Sequence, residues 1–140
     1  MPLGQIASYL SSTPEFASLI PNTISEAFLA IASSTNPTGS KEKAALKDVF
    51  SALMTADESR IKDQLNKLIT RFHGGNVKDS EKEIKDLILT LYGQFPGDIG
   101  VFCPFMLNYV KLTPGEAMFL GAGEPHAYLS GGTFCALRII

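Results

Sequence analysis

The sequence predicts an α+β chain in which helices come first and short strands follow. Charge is unevenly distributed: Lys41 to Asp86 carries 19 charged residues in 46 positions, whereas Gln94 to Leu137 carries four in 44. Apolar residues recur at helical spacing in the first part, while short apolar runs separated by Pro/Gly turns fill the second. We therefore expect a helical domain over residues 1–94 and a β segment over residues 95–140.

The composition is typical of a folded domain that works without nucleic acid or a membrane. The chain has 140 residues, 45% of them hydrophobic, and a net charge of −2. That hydrophobic content excludes a disordered chain, and the lack of a basic excess argues against nucleic acid as a partner. No apolar run reaches the roughly 18–20 residues that span a bilayer, and the start of the chain lacks the basic and apolar regions of a secretory signal. Because Cys103 and Cys135 have no metal-binding spacing, we expect reduced thiols and a cytoplasmic location.

Three short helical segments open the chain. They cover Gln5 to Leu10, Glu15 to Ile20 and Ile24 to Ala32. Proline or a polar loop follows each of them, which is typical of helix ends.

Three longer amphipathic helices follow, each with one apolar stripe. We expect Asp57 to cap the second helix, and the glycines after His73 to end it. Ser80 and Glu83 have the spacing of a capping box for the third helix. Such helices pack into a bundle, and their charged faces are interpreted as solvated surface. The stripes are Leu46, Val49, Phe50, Leu53 and Met54; Ile61, Leu65, Leu68, Ile69 and Phe72; and Ile84, Leu87, Ile88, Leu91 and Tyr92.

The second part predicts strands joined by tight turns. A strand is expected over Val101 to Leu112, with Pro104 at an edge or a bulge. Thr113 to Glu116 has the pattern of a type II turn, because Pro114 presets φ and Gly115 supplies a positive φ. Shorter strands are expected over Ala117 to Leu120, His126 to Leu129 and Thr133 to Ile140. Four short strands are typical of a sandwich or barrel but too few to close one.

Two side chains in the second part are candidates for chemistry. His126 opens a predicted strand at the rim of the β segment, where an imidazole either binds a metal or is simply packed and hydrogen-bonded. Tyr128 follows two residues later on the same strand face, where it either contacts a polyhydroxylated ligand or lines the barrel. His73, at a helix end, is expected to face solvent or to favour the helix dipole. The sequence shows no Ser-His-Asp arrangement, nucleophile elbow or phosphate-binding glycine loop.

The second part resembles the type I mannose-6-phosphate isomerases (phosphomannose isomerases) over one long block. That block, from Phe95 to Gly132, reads FPGDIGVFCPFMLNYVKLTPGEAMFLGAGEPHAYLSGG. The family pieces PGDIG, LN-x-hydrophobic-x-L-x-PGEA and EPHAY-hydrophobic-x-G stand there in order, with family-like gaps. The first part is similar to the family's helical insert, from the Thr13-Pro14-Glu15-Phe16 word to the Gln64-Leu65-Asn66 word.

The resemblance implies a fold, a reaction and a cofactor. The fold is a cupin-type (jelly-roll) β-barrel with a helical domain inserted, so residues 95–140 would be part of that barrel. The reaction is the zinc-dependent interconversion of mannose 6-phosphate and fructose 6-phosphate, which feeds GDP-mannose synthesis. The family holds one zinc ion with a Gln-x-His pair, a glutamate and the histidine of the PHAY word. Only this last ligand carries over, onto His126, and the tyrosine of the same word, at the substrate pocket, carries over onto Tyr128.

Other family motifs do not occur in this sequence. The Gln-x-His pair and the glutamate are absent, and the tail after Gly131 departs from the RAGLTPK word with the catalytic arginine, so that role is not carried over to Arg138. We expect an internal fragment, a truncated product or an alternatively spliced form, and two hypotheses stay open. The chain is part of a zinc-dependent sugar-phosphate isomerase, or it is a non-catalytic fragment or a regulatory or sugar-binding module without a complete zinc site.

Overall fold

The computed structural model describes residues 1–34, 39–123, 126–130 and 137–139. The chain divides into two compact units, Met1–Met106 and Leu107–Ile140. Among the described residues, the first unit is helical and the second contains a three-stranded sheet. None of the described helices is both long enough and apolar enough to cross a membrane. The helices are α1 (Leu3–Ser12), α2 (Pro14–Ala17), α3 (Asn22–Ala32), α4 (Gly39–Met54), α5 (Glu58–His73) and α6 (Lys82–Gln94), with 3-10 segments at Asp79–Glu81 and Ile99–Phe105.

The predicted helices are confirmed, and their apolar stripes face the core. All five stripe residues of α5 are buried, as are four of the five in α6. In α4 the stripe residues Val49 and Leu53 are buried, whereas Met54 is 45% exposed. Burial of these stripes stabilises the unit by about 25 cal/mol for each Å² of apolar surface removed from water.

Both predicted ends of α5 are confirmed. The Asp57 carboxylate caps the helix and accepts two backbone N–H groups of the first turn at 2.9 and 3.2 Å. At the other end Gly75 has a φ of +79°, a conformation that glycine adopts without steric cost. The N–H groups of Gly75 and Asn76 donate to the carbonyls of Phe72 and Arg71 at 3.2 and 3.1 Å. These two bonds form a Schellman motif, which satisfies carbonyls that the helix end leaves unpaired.

The start of α6 differs from the prediction. The expected capping box of Ser80 and Glu83 is wrong, because a 3-10 segment precedes the helix. The Glu81 carboxylate instead accepts the backbone N–H of Lys78 at 2.9 Å and so closes the 3-10 turn. The Ser80 hydroxyl shares a hydrogen bond of 2.9 Å with the hydroxyl of Ser12.

The strand predicted over Val101 to Leu112 is wrong in its first half. Residues Ile99–Phe105 form a 3-10 helix, whose start is capped by the Asp98 carboxylate. Phe102 and Phe105 lie three residues apart, which places them on one face of a 3-10 helix. Both are fully buried in the helical unit, and this burial replaces strand pairing as the source of stability.

An aromatic cluster extends the helical unit beyond its predicted end. The Phe105 ring centroid lies 5.2 Å from that of Tyr9 and 5.0 Å from that of Phe16. Phe16 also stacks on Phe102 at 6.4 Å. Among the residues whose burial the structure describes, every core apolar side chain lies at or before Met106. The predicted boundary between residues 94 and 95 therefore falls inside this unit.

The second unit contains the strands β1 (Val110–Leu112), β2 (Tyr128–Ser130) and β3 (Leu137–Ile139). They form an antiparallel sheet in the order β1-β3-β2. The type II turn after β1 is confirmed: Gly115 has a φ of +95°, and the N–H of Glu116 donates to the Thr113 carbonyl at 3.0 Å.

The rest of the predicted β segment is sparser than expected. The strand predicted over Ala117 to Leu120 is wrong: among the described residues this run has no strand partner, and Phe119 is 92% exposed. The strand expected from His126 begins at Tyr128, and within the last predicted run residues 133–136 and 140 lie outside the described residues. Three strands of three residues cannot close a barrel, so the described part of the chain shows no cupin-type barrel.

Candidate functional site

The structure brings the two predicted site residues together in the second unit. His126 lies two residues before Tyr128, which begins β2. Their ring centroids are 5.5 Å apart, and the rings meet edge to face at 78°. Tyr128 is 62% exposed and His126 is also exposed, so a ligand in solution can reach both side chains.

A turn and one strand pairing position this pair. Gly123, with a φ of +81°, turns the chain three residues before His126. Tyr128 then pairs with Ile139 of β3, and the register shifts before the next pair. Glu124 and Pro125, which belong to the family-like word around His126, lie outside the described residues.

The described residues do not by themselves make a zinc site. Among them, no group of three or more His, Cys, Asp or Glu side chains is placed to hold a metal ion. Structural zinc takes four protein ligands, and catalytic zinc usually takes three plus water. His126 thus offers one imidazole donor, and one donor does not hold a zinc ion tightly.

The other sequence-level candidates do not add to this site. His73, the last residue of α5, faces solvent, in line with one of its two predicted readings. Burial raises the pKa of Cys103 to about 11, with a smaller effect from the negative charge of Asp98. Because the thiolate is the reactive form, Cys103 is a poor nucleophile at neutral pH. Cys135 lies outside the described residues.

A shallow groove of about 340 Å³ lies between α3 and α4. Its lining is mostly apolar, with Phe28 and Ile31 accompanied by Lys41 and Asp48. The described residues that line it include no histidine or cysteine, so the groove offers neither a metal ligand of that kind nor a nucleophile.

A buried ion cluster in the first unit was missed from the sequence. The two oxygens of Glu15 lie 2.8 and 2.9 Å from Nε and Nη2 of Arg71. The two oxygens of Glu81 lie 2.7 Å from Nη1 and Nη2 of the same guanidinium. The side chains of Arg71, Glu15 and Glu81 are 14%, 9% and 0% exposed. Two carboxylates therefore share one arginine away from water, and they tie α2 and the segment before α6 to α5.

Hydrogen bonds complete this cluster. The Thr13 hydroxyl and the Lys78 backbone N–H donate to the Glu81 carboxylate at 2.7 and 2.9 Å. Burial alone would raise the pKa of Glu81, but the bonds from Arg71, Lys78 and Thr13 outweigh it and hold the pKa below its usual value. Hydrogen bonds to Glu81 and Glu15 raise the pKa of Arg71. Arg71 and Glu81 are therefore charged at neutral pH, and the cluster joins three segments of the first unit.

Comparison with known proteins adds a family match. Residues 19–107 match the family described as phosphomannose isomerase type I, helical insertion domain. The chain is 37% identical over 146 residues to a mannose-6-phosphate isomerase of Cryptococcus neoformans, covering 94% of this chain and 34% of that protein. It is 40% identical over 131 residues to a probable mannose-6-phosphate isomerase of Dictyostelium discoideum, covering 93% and 26%. For the mannose-6-phosphate isomerase of Rattus norvegicus, the identity is 39% over 132 residues, covering 93% and 30%. The chain thus spans about a third or less of the length of these relatives.

Proposed function

This chain belongs to the type I phosphomannose isomerase family, and on that basis we propose that it forms part of an enzyme that interconverts mannose 6-phosphate and fructose 6-phosphate. One observation carries the proposal: relatives 37–40% identical over 93–94% of this chain carry the name of that enzyme. The aldose–ketose reaction moves a proton between C1 and C2 of the sugar through an enediol. Its product would feed GDP-mannose synthesis, and a cytoplasmic location stays a prediction.

The second unit would contribute to the sugar site. His126 would supply one neutral imidazole nitrogen to zinc, and further ligands would have to come from outside the described residues. Zinc, when bound, would polarise sugar oxygens and stabilise negative charge. Tyr128 would contact the sugar, and its exposed phenol 5.5 Å from the His126 ring supports this role. The helical unit would serve as the family's inserted domain.

A second candidate function rests on the ligand count. Because His126 offers one donor and no three-ligand group stands among the described residues, the chain on its own would bind zinc weakly. In that case it would act as a non-catalytic helical or sugar-binding module. Zinc that stays bound at one ion per chain after dialysis would contradict this second candidate.

A chimera tests the proposed function. The segment of the Cryptococcus neoformans relative that aligns with this chain is replaced by this chain, and turnover of mannose 6-phosphate is followed by a coupled assay. We expect an active chimera, and no turnover by the isolated chain. A chimera that folds with the relative's thermal stability and has no turnover would refute the proposal.

Two histidine variants of that chimera test whether His126 is a zinc ligand. His126→Ala should lower zinc affinity by more than the roughly 10- to 100-fold that loss of an outer-shell partner costs, and activity should fall with it. His73→Ala, at an exposed helix end, is the matched control and should change neither quantity. Equal zinc content in the two variants would exclude His126 as a ligand.

A further inference from the structure

The groove between α3 and α4 is lined by apolar surface that the helical unit leaves in contact with water. Most residues of α3 are apolar, but only Phe28 is buried. Among the other residues that line the groove, Ile24 and Ile31 are half-buried, and Ala27 and Ala44 are exposed. A partner that covers this groove would remove further apolar area from water, which favours association.

Two exposed side chains of opposite charge, Lys41 and Asp48, lie on the α4 side of the groove. Seven residues of an α-helix make just under two turns, so these side chains share one face and lie about 10 Å apart along the helix axis. That separation is too long for an ion pair within the helix. Within the part of the chain that the structure describes, neither of them forms an ion pair.

A second hollow, of about 440 Å³, shares Ile24 and Asp48 with the groove. Its other charged side chains already have partners in the chain. The Asp57 carboxylate caps α5, and the Arg60 guanidinium donates to the backbone carbonyl of Ser18. Of the described charged residues along the two hollows, Lys41 and Asp48 are therefore the two that a partner can pair with.

The placement of these two charges is self-complementary. When two α4 helices pack antiparallel about a twofold axis at the level of Ala44 and Ala45, Lys41 and Asp48 lie at equal distances on either side of the axis. Contacts across a twofold axis are reciprocal, so Lys41 of each copy faces Asp48 of the other and two equivalent ion pairs form. A parallel arrangement in the same register would instead place like charges opposite each other.

We propose that this groove is the interface of a weak antiparallel homodimer, in which the α4 helix of a second copy of this chain covers it. The two ion pairs between Lys41 and Asp48 set the orientation and register of the helices, and Ile24 and Ile31 supply apolar contact beside them. One helix face from each copy gives a small interface, so the dissociation constant should lie between about 10 μM and 1 mM. This dimer does not depend on the proposed function.

Sedimentation equilibrium of the whole chain at low salt tests the dimer. We expect a monomer–dimer equilibrium that weakens as salt is added, because the ion pairs are at the surface. Lys41→Glu and Asp48→Lys should each raise the dissociation constant about tenfold or more, because both attractive contacts become repulsive. Circular dichroism verifies that the exposed substitutions leave the helices intact.

An equimolar mixture of these two variants is the decisive measurement. Lys41→Glu leaves two acidic side chains at the paired positions, and Asp48→Lys leaves two basic ones. A mixed dimer therefore regains two contacts between opposite charges, and its dissociation constant should return to within about threefold of the wild-type value. A mixture that associates no more tightly than either variant alone would overturn the proposal.

Lys43→Glu is the matched control. It changes the net charge by the same amount as Lys41→Glu, but Lys43 is an exposed residue that does not line the groove. Two residues correspond to about 200° around the helix, so Lys43 lies on the opposite side of α4 from Lys41. The dimer should form as in wild type, and an equal loss in this control would reduce the effect to net charge and overturn the proposal.

Two further outcomes would overturn the interface. A wild-type chain that stays monomeric at about 1 mM and low salt would exclude a second copy and leave the groove to another partner. A dimer that is unaffected by both charge reversals would place the contact elsewhere on the chain.

Discussion

The side chain of Arg71 connects three segments of the helical unit that are separate in sequence. Its guanidinium is satisfied by Glu15, which lies 56 positions away, and by Glu81, which lies 10 away. A buried ion cluster of this kind adds little net stability compared with well-packed apolar residues, because desolvation offsets the attraction. Removal of one partner strongly destabilises the folded state, because it leaves an unpaired charge in the interior.

We predict that Arg71→Met destabilises the helical unit by about 3–5 kcal/mol, because two buried carboxylates lose their counterion. Urea unfolding followed by circular dichroism measures this free energy. Lys67→Met is the control: Lys67 pairs with Asp63 on the same helix, but both side chains are 58% exposed. Its effect should stay within about 1 kcal/mol, and similar losses in the two variants would contradict a special role for the cluster.

Stability should also fall in acid in a way that depends on Glu81. Its pKa is below the ordinary value in the folded state, so the unfolded chain takes up the proton first as the pH falls. The stabilisation is fully present above about pH 4.3, the ordinary glutamate pKa, and it is lost as the pH falls through the lower folded value. Glu81→Gln should flatten the fall of Tm with acid, and Glu58→Gln, an exposed control, should not. Parallel Tm profiles of wild type and Glu81→Gln would contradict this.

Helix boundaries depend on local chemistry, and the end of α5 is a direct case. Gly75 adopts a left-handed conformation with open space where a Cβ would stand, so a substitution there meets backbone strain and no clash. Gly75→Ala should cost about 1 kcal/mol. Gly93→Ala, in α6 with a negative φ and equally open space, should be neutral or stabilising by up to about 1 kcal/mol. Thermal unfolding of both variants checks the difference, and equal effects would exclude the left-handed cap as the cause.

At this scale the sequence predicts helices better than strands. The stripes of α4, α5 and α6 repeat over several turns, so helical periodicity is unambiguous there. The run from Val101 to Phe105 is short and apolar without a clear period, and its 3-10 form depends on Phe16 and Tyr9, which are distant in sequence. The predicted capping box of Ser80 and Glu83 is wrong for a similar reason, because the position of the neighbouring Glu81 depends on its contact with Arg71.

The sequence predicts which residues form the candidate site and that they lie close together, but it leaves their chemical roles untested. His126 and Tyr128 lie two positions apart, and their contact follows from local geometry alone. The zinc role of His126 and the sugar role of Tyr128 stay predictions.

At the scale of the whole molecule, the division into two units predicts which fragment of the chain folds on its own. Wherever the structure describes side-chain burial, the core apolar side chains lie within Met1–Met106. We therefore expect residues 1–106 to unfold cooperatively as an isolated fragment. The control fragment, residues 1–94, lacks Phe102 and Phe105. Its free energy of unfolding should be lower by more than about 3–5 kcal/mol, which is the cost of truncating one buried phenylalanine. Differential scanning calorimetry of both fragments decides, and equal stability would contradict the extension of the core to Met106.

The shared counterion at Arg71 also carries an evolutionary consequence. Lysine could not reproduce two forked contacts, and a neutral residue at position 15 or 81 would leave an arginine that is half satisfied. Each single substitution at these positions therefore lowers the stability of the folded unit. Positions 15, 71 and 81 should be inherited as a set across lineages, and where one has drifted to an apolar residue, the other two should have drifted with it.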